Sequence, residues 1–192
     1  MNKNNPANSN NPNPWQTQSS EVKYDNPWIK VVENKVINPA GNNGIYGVVH
    51  FKNLAIGIIP MDSQQNIWLV GQYRYPLNQY SWEIPEGGGN LAISPLKSAK
   101  RELLEETGLT AQKWTKIQKM HLSNSVSNEL AIIYLAQNLT LGKASPEETE
   151  KLEIQKIPLQ KAYQMVSSGK ITDSLSVAAI LKLKLMLLEN KL

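Results

Sequence analysis

The sequence predicts a layered α/β (α+β) domain with a mixed β-sheet. Three observations support this prediction: short β-rich runs alternate with turn residues from Pro27 onward, a helix with clear end signals follows them, and two more helices close the chain. Strands first, then a central helix, further strands and terminal helices form an order typical of layered domains that combine helices with a sheet.

One such domain accounts for nearly the whole chain. With 192 residues, the chain is long enough for one hydrophobic core and too short for two comparable domains. Residues 1–20 are rich in Asn, Pro, Ser and Gln, so burial cannot offset the entropy of ordering them. We therefore expect a disordered tail at 1–20 and a single domain at 21–192.

Composition excludes several classes of protein. The chain has no cysteine and only two histidines, which excludes disulfides and thiolate metal sites and leaves carboxylates as the main metal ligands. The net charge of +4 comes from scattered lysines, so we expect no nucleic-acid binding. Without a long apolar run or a secretory signal, we expect no membrane span and a cytoplasmic location.

The strands are predicted from β-branched and aromatic runs bounded by Gly, Pro and Asn. Two of them, residues 54–60 and 67–75, are joined by a short turn, and strands adjacent in sequence usually pair. The predicted strands are residues 28–37, 45–51, 54–60, 67–75, 114–121, 129–136 and 152–157. Between the fourth and fifth lies a loop with three glycines, where Gly87 and Gly88 let the backbone turn tightly and face a ligand.

The central helix has the clearest punctuation in the chain. Ser94 suits the N-cap, Pro95 the first helical position, and Gly108 the residue after the end. Two further helices are predicted at about 159–168 and 173–190, the second capped by Asp173 or Ser174.

The central helix also carries a patch of acids. Glu102, Glu105 and Glu106 are three or four residues apart, so helical spacing places them side by side. Repulsion between such like charges costs roughly 0.2–0.5 kcal/mol per pair, and a bound hard cation such as magnesium would reverse it. The alternative is a solvated face on which Arg101 pairs with Glu105 at i, i+4.

Residues 87–109 resemble the box of the Nudix hydrolase family, G-x5-E-x7-R-E-U-x-E-E-x-G-U, where U is aliphatic. Gly87, Arg101-Glu102-Leu103, Glu105-Glu106 and Gly108-Leu109 match it. The first glutamate of the box is replaced by Ile93, and the glycine that commonly precedes it by Ala92.

The resemblance extends beyond the box to the ADP-ribose pyrophosphatase branch of the family. Gln72-Tyr73-Arg74-Tyr75-Pro76 is similar to Q-[YF]-R-x-P, and residues 83–87 are similar to E-[LF]-P-A-G, with Glu86 in place of the usual alanine. The resemblance implies an α/β/α sandwich. It also implies that Glu102, Glu106 and Glu105 hold Mg²⁺ or Mn²⁺, together with the main-chain carbonyl of Glu86.

The resemblance implies further site residues, each with an alternative. Arg74 would meet the pyrophosphate, or else form a surface ion pair; Arg101 would orient the glutamates. Trp28 would stack on adenine, or else pack on the sheet edge or a dimer interface. A late glutamate would activate the water, for which Glu148 and Glu150 are the candidates and Glu129 comes behind them.

Together these features predict a Nudix pyrophosphohydrolase that cleaves a nucleoside diphosphate-linked small molecule. ADP-ribose, giving AMP and ribose 5-phosphate, is the first expectation, with other nucleotide sugars and dinucleotides left open. The alternative is a non-catalytic domain that senses ADP-ribose or a related nucleotide, which the changes at Ile93 and Ala92 favour. A homodimer is the habit of the family.

Overall fold

The computed structural model of the protein describes residues 11–142 and 152–192. The described chain divides into two compact units, one made of residues 11–51 and 125–128 and the other of residues 52–124 and 129–192. It has an α+β architecture with a mixed sheet, as the sequence predicts. None of the helices in these ranges is long and apolar enough to cross a membrane.

The first unit is an antiparallel sheet of three strands. These are β1 (Gln16–Asp25), β2 (Ile29–Ile37) and β3 (Asn43–Phe51), in the order β1-β2-β3. Every residue of β1 is exposed, so no apolar pattern marks this strand in the sequence. The composition of residues 16–20 predicts that they belong to the disordered tail, yet they pair with β2. Ladder hydrogen bonds join backbone groups, so the strand can form without an apolar side-chain pattern.

The second unit contains a four-stranded mixed sheet. Its strands are β4 (Asn53–Pro60), β7 (Glu86–Asn90), β8 (Leu109–His121) and β9 (Leu130–Leu141). They lie in the order β7-β4-β9-β8, with β4 and β9 parallel and the other two pairs antiparallel. A second, antiparallel sheet in the order β10-β5-β6 is made of β5 (Asn66–Arg74), β6 (Gln79–Glu83) and β10 (Glu153–Pro158).

The expected pairing of residues 54–60 with 67–75 is wrong. Strands β4 and β5 belong to different sheets, and an isolated bridge between Met61 and Ile67 and hydrogen bonds between Asp62 and Asn66 join the segments around their turn. Both strands are largely buried, so their apolar runs fit an inner position in either sheet. Sequence proximity alone cannot choose between the two.

The three helices lie on opposite sides of the four-stranded sheet. Helix α1 (Pro95–Thr107) packs through Ala99 and Leu103 on one face, whereas α2 (Leu159–Ser167) and α3 (Ser174–Leu188) belong to the core of the other face. Successive residues of β9 alternate between the two cores, as the period of two in a strand requires.

The predicted end signals of the helices are confirmed. The Ser94 side chain accepts a hydrogen bond from the backbone N–H of Lys97, and Gly108 adopts the left-handed conformation with φ 72°. Asp173 caps α3 by accepting a bond of 2.7 Å from the backbone N–H of Ser176. These local contacts fix where α1 and α3 begin, and hence which residues face the site.

The expected glycine-rich turn is wrong in its geometry. Gly87, Gly88 and Gly89 are extended and form the middle of β7, which pairs with β4. Their small size serves close packing instead: a Cβ on Gly89 would clash with the Ile56 side chain, and one on Gly87 would clash with Glu102.

Candidate active site

Helix α1 carries the acidic patch that its sequence predicts. Glu102 and Glu106 are buried, at 8% and 1% exposure, and Glu105 is half-buried. Leu103, between them in sequence, lies fully in the core and holds this face of the helix against the sheet. Two buried carboxylates need hydrogen bonds or positive charge close by, because an uncompensated buried charge is costly.

Arg101 supplies positive charge to this patch. Its Nη1 lies 2.5 Å from Oε2 of Glu105, and its Nη2 lies 2.5 Å from Oε1 of Glu102 and 3.1 Å from the carbonyl oxygen of Gly88. Burial lowers the pKa of Arg101, but Glu102 and Glu105 raise it above its ordinary value. Arg101 thus ties two carboxylates of α1 to strand β7.

The glycine at the start of β7 leaves room for a carboxylate. A Cβ on Gly87 would lie closer than 3.0 Å to the carboxyl carbon and both oxygens of Glu102. Next to it, the backbone N–H of Glu86 donates a 3.0 Å hydrogen bond to Oε2 of Glu106. The start of β7 therefore packs directly on two of the three acids, which explains why a side chain is excluded at position 87.

Arg74, at the end of β5, is held by two acids. Its Nε lies 3.0 Å from both carboxylate oxygens of Glu83, and its Nη2 lies 2.5 Å from Oε2 of Glu83 and 2.7 Å from Oε1 of Glu86. Burial lowers the pKa of Arg74, but Glu83 and Glu86 raise it well above its ordinary value. Its side chain is one-third exposed, so the pair is more enclosed than a surface ion pair.

A second acidic cluster surrounds Arg74. In the described part of the chain, the group of three acids whose carboxylate oxygens come within 4.8 Å of one another is Glu83, Glu86 and Asp173. Burial, Asp173 and Glu83 raise the pKa of the Glu86 carboxyl well above its ordinary value, against the lowering effect of Arg74. The cluster thus gathers acids from β6, β7 and the cap of α3 around one guanidinium.

Helix α3 is anchored at this cluster. The backbone N–H of Ile84 donates a 2.8 Å hydrogen bond to Oγ of Ser176, and both residues are fully buried. Because Asp173 caps the same turn through Ser176, one helix end positions both the acid and the anchor. Sequence reasoning assigned Asp173 only a capping role and gave Glu83 none, although Glu83 stands in the motif segment at 83–87.

By chemical type the α1 carboxylates suit a hard divalent cation, but the three acids whose oxygens gather within 4.8 Å of one another in the described residues are Glu83, Glu86 and Asp173. Glu102, Glu105 and Glu106 offer carboxylate oxygens, and the position without a Cβ at Gly87 keeps the Glu102 carboxylate against β7. In the structure, Arg101 bridges two of these acids, so the positive charge that the patch requires comes from within the chain.

The other predicted site residues are placed as follows. Gly88 lies in β7, where its carbonyl accepts from Arg101. Trp28 belongs to the first unit and is 67% exposed. Glu148 and Glu150 lie outside the described residues, and burial raises the pKa of Glu129. Ile93, at the box's missing glutamate, is 47% exposed just before α1.

Comparisons with known proteins identify the family of the chain. Residues 51–174 match the NUDIX domain model, and residues 15–49 match the nucleoside diphosphate sugar hydrolase N-terminal domain. The chain is 33% identical over 133 residues to the ADP-ribose pyrophosphatase of Bacillus subtilis (strain 168), covering 68% of this chain and 72% of that protein. It is 31% identical over 171 residues to the ADP-ribose pyrophosphatase of Mycobacterium tuberculosis (strain ATCC 25618 / H37Rv), covering 87% and 82%.

A solved structure shares the fold. The crystal structure of an ADP compounds hydrolase superposes with a TM-score of 0.82 at 19% identity, covering 93% of this chain and 97% of that one. At this identity the likeness concerns the arrangement of helices and strands, which agrees with the described topology.

Proposed function

Because this chain belongs to the Nudix family and is a pyrophosphohydrolase of nucleoside diphosphate sugars, we propose that its substrate is ADP-ribose, cleaved to AMP and ribose 5-phosphate. The observation that carries the proposal is the convergence of the α1 acids on β7, beside Arg74. Carboxylates to hold cations and an arginine fork suited to phosphate oxygens are what cleavage of a diphosphate requires.

Nudix hydrolases generally require a divalent metal, and we propose Mg²⁺ or Mn²⁺ for this chain. Glu102, Glu105 and Glu106, with the main-chain carbonyl of Glu86, would hold it. When bound, the metal would neutralise the diphosphate and make the reacting phosphorus more electrophilic. Arg101 would keep Glu102 and Glu105 in place through the contacts that it already makes.

The remaining roles concern the substrate and the water. Arg74 would bind a diphosphate oxygen. The ligand would approach the backbone closely at Gly88, whereas at Gly87, the other glycine expected to face it, the Glu102 carboxylate fills the space that a Cβ would take. Trp28 would stack on the base. Glu148 or Glu150 would take the proton of the attacking water as general base.

The substitution Glu106→Gln tests the metal site. The amide oxygen of glutamine can still accept the 3.0 Å bond from the N–H of Glu86, so the fold should persist while a negative charge is lost. We expect turnover to fall at least about a hundredfold. Glu189→Gln, the same change at the end of α3, is the control and should retain wild-type turnover. Unchanged turnover by Glu106→Gln would refute the assignment of the α1 glutamates as metal ligands.

The substrate is tested by direct hydrolysis. Purified protein with Mg²⁺ or Mn²⁺ is incubated with ADP-ribose, nucleotide sugars, diadenosine polyphosphates or NADH, and products are separated by chromatography. We expect AMP from ADP-ribose at the highest rate, and preference for another compound would replace ADP-ribose as the substrate.

A second candidate function is the sensing of ADP-ribose or a related nucleotide without hydrolysis. It is favoured by Ile93, which cannot supply the carboxylate of the box, and by Arg101, which already neutralises two acids. Tight binding of ADP-ribose without metal-dependent release of AMP would support it against the first proposal.

Three broader properties stay predictions. We propose a homodimer, because α3 leaves Leu181, Leu185 and Leu188 substantially exposed, and light scattering after gel filtration measures it. The cytoplasmic location and the organisation of residues 21–192 as one domain rest on the sequence.

A further inference from the structure

At residue 86 the chain differs in chemical character from the family segment that it resembles, whereas Ile84 replaces Leu or Phe by another apolar residue. That segment has alanine, whereas this chain has a glutamate whose side chain is only 14% exposed. The carboxylate does not extend into solvent but turns inward, with Oε1 at 2.7 Å from Nη2 of Arg74. The side chain that distinguishes this chain therefore contacts the arginine proposed to bind the diphosphate.

The two acids on Arg74 hold it differently. Glu83 is 2% exposed and receives both Nε and Nη2 of Arg74, so it is a fixed part of the fold. Glu86 is bonded to Arg74 through Oε1, and among the described residues its buried Oε2 has no hydrogen-bond partner. Of the two carboxylates, Glu86 makes fewer bonds to the guanidinium and is the one that an incoming anion can replace at lower cost.

The backbone of Glu86 stays in place when its side chain moves. Its N–H is bonded to Glu106, and it pairs with Gly57 in the β7–β4 ladder. Rotation of the side chain away from Arg74 therefore need not disturb α1 or the sheet.

We propose that Glu86 competes with the substrate's diphosphate for Arg74 and thereby weakens the affinity of the site for diphosphates. The inference rests on the proposed function for its claim that Arg74 binds the diphosphate. A diphosphate oxygen replaces Oε1 of Glu86 on Nη2, while Glu83 continues to hold the guanidinium. A ligand with a single phosphate competes less well with Glu86 for Arg74 than a diphosphate does, so such ligands are disfavoured. Residue 86 is then a determinant of substrate specificity.

A double-mutant cycle tests the competition directly. Four proteins are compared: wild type, Glu86→Ala, Arg74→Ala and the double variant. The probe is inorganic pyrophosphate with Mg²⁺, titrated by calorimetry. Removing the competing carboxylate is expected to lower Kd about tenfold with Arg74 present, and by less than about twofold with Arg74 replaced.

The Arg74→Ala background separates competition from general electrostatics. If Glu86 only repels anions through its charge, the gain in affinity persists without Arg74, and the proposal is overturned. Equal or weaker binding by Glu86→Ala overturns it too, as does an absence of pyrophosphate binding by both wild type and Glu86→Ala. Glu86→Gln, which loses the charge but keeps the shape, is expected to give a smaller gain, and thermal unfolding verifies that each variant is folded.

The outcome is independent of the assignment of the substrate. Failure of wild type to hydrolyse any compound of the nucleotide panel would refute the proposed function, whereas coupling between positions 74 and 86 in pyrophosphate binding would still support the competition. Hydrolysis of ADP-ribose without that coupling would keep the function and refute the competition. With an active wild type, Glu86→Ala is also expected to lower KM for ADP-ribose by more than it alters kcat.

Discussion

Replacing Gly87 by alanine displaces a carboxylate without changing any functional group. A Cβ at this position would lie closer than 3.0 Å to three atoms of the Glu102 carboxylate, whereas ordinary contact begins at 3.4 Å. The carboxylate must therefore shift by roughly 1 Å, and a misplacement of this size costs on the order of a hundredfold in rate. We expect kcat/KM of Gly87→Ala to fall by about that factor.

The fold should tolerate this change. Gly87 does not adopt a positive φ, so alanine brings no backbone strain, and the clash is with the end of a side chain. We expect the free energy of unfolding to fall by about 1 kcal/mol, at the low end for overpacking. Urea denaturation measures this quantity, and it separates a displaced carboxylate from an unfolded chain.

The neighbouring glycine provides the comparison for the metal site. A Cβ on Gly88 would meet only the Asn53 side chain, at 3.6 Å, so Glu102 stays in place. Titration with Mn²⁺, followed by electron paramagnetic resonance, is expected to show weaker binding by Gly87→Ala and wild-type affinity for Gly88→Ala. Folded Gly87→Ala with wild-type Mn²⁺ affinity and wild-type turnover would refute this reasoning.

Two further predictions concern stability. Burial raises the pKa of Asp62, but hydrogen bonds from Lys156 and Asn66 bring it from 3.8 to about 2. The stabilisation by the ionised Asp62 is thus present above pH 3.8 and lost as the pH falls through 2. Asp62→Asn should therefore lower the free energy of unfolding by about 1–2 kcal/mol at pH 7. Urea titrations in which the free energies of unfolding of variant and wild type do not converge near pH 2 would contradict this. Ser176→Ala leaves the buried N–H of Ile84 without its acceptor and should lower the free energy of unfolding by about 1–3 kcal/mol. A loss below about 0.5 kcal/mol, the scale of surface substitutions, would show that this hydrogen bond does not anchor α3.

Local signals were sufficient where the physical cause is local. The ends of α1 follow from Ser94, Pro95 and Gly108, because capping contacts reach only a few residues along the chain. Helical periodicity likewise places Glu102, Glu105 and Glu106 on neighbouring positions, and Arg101 beside them. The i, i+4 pair of Arg101 with Glu105, expected as the alternative to a metal, is present in the structure.

Strand positions were harder to predict than helix ends. The glycines of β7 indicate a turn when only their conformational freedom is considered, but a Cβ at 87 or 89 would have to displace the Glu102 side chain of α1 or the Ile56 side chain of β4. Strand β1 has no buried residue at all, so the apolar pattern that predicts other strands is missing. In both cases the partner strand decides the structure, and it lies elsewhere in the chain.

The sequence by itself determined the family, the acidic helix and its caps, since each rests on spacing within a short segment. Only the tertiary structure decided that Glu83, Glu86 and Asp173 meet around Arg74 and that Ser176 anchors α3 on Ile84. The reason is physical: Asp173 lies almost half the chain away from Glu86, and their contact depends on how two sheets and a helix pack into one core, which no local periodicity encodes.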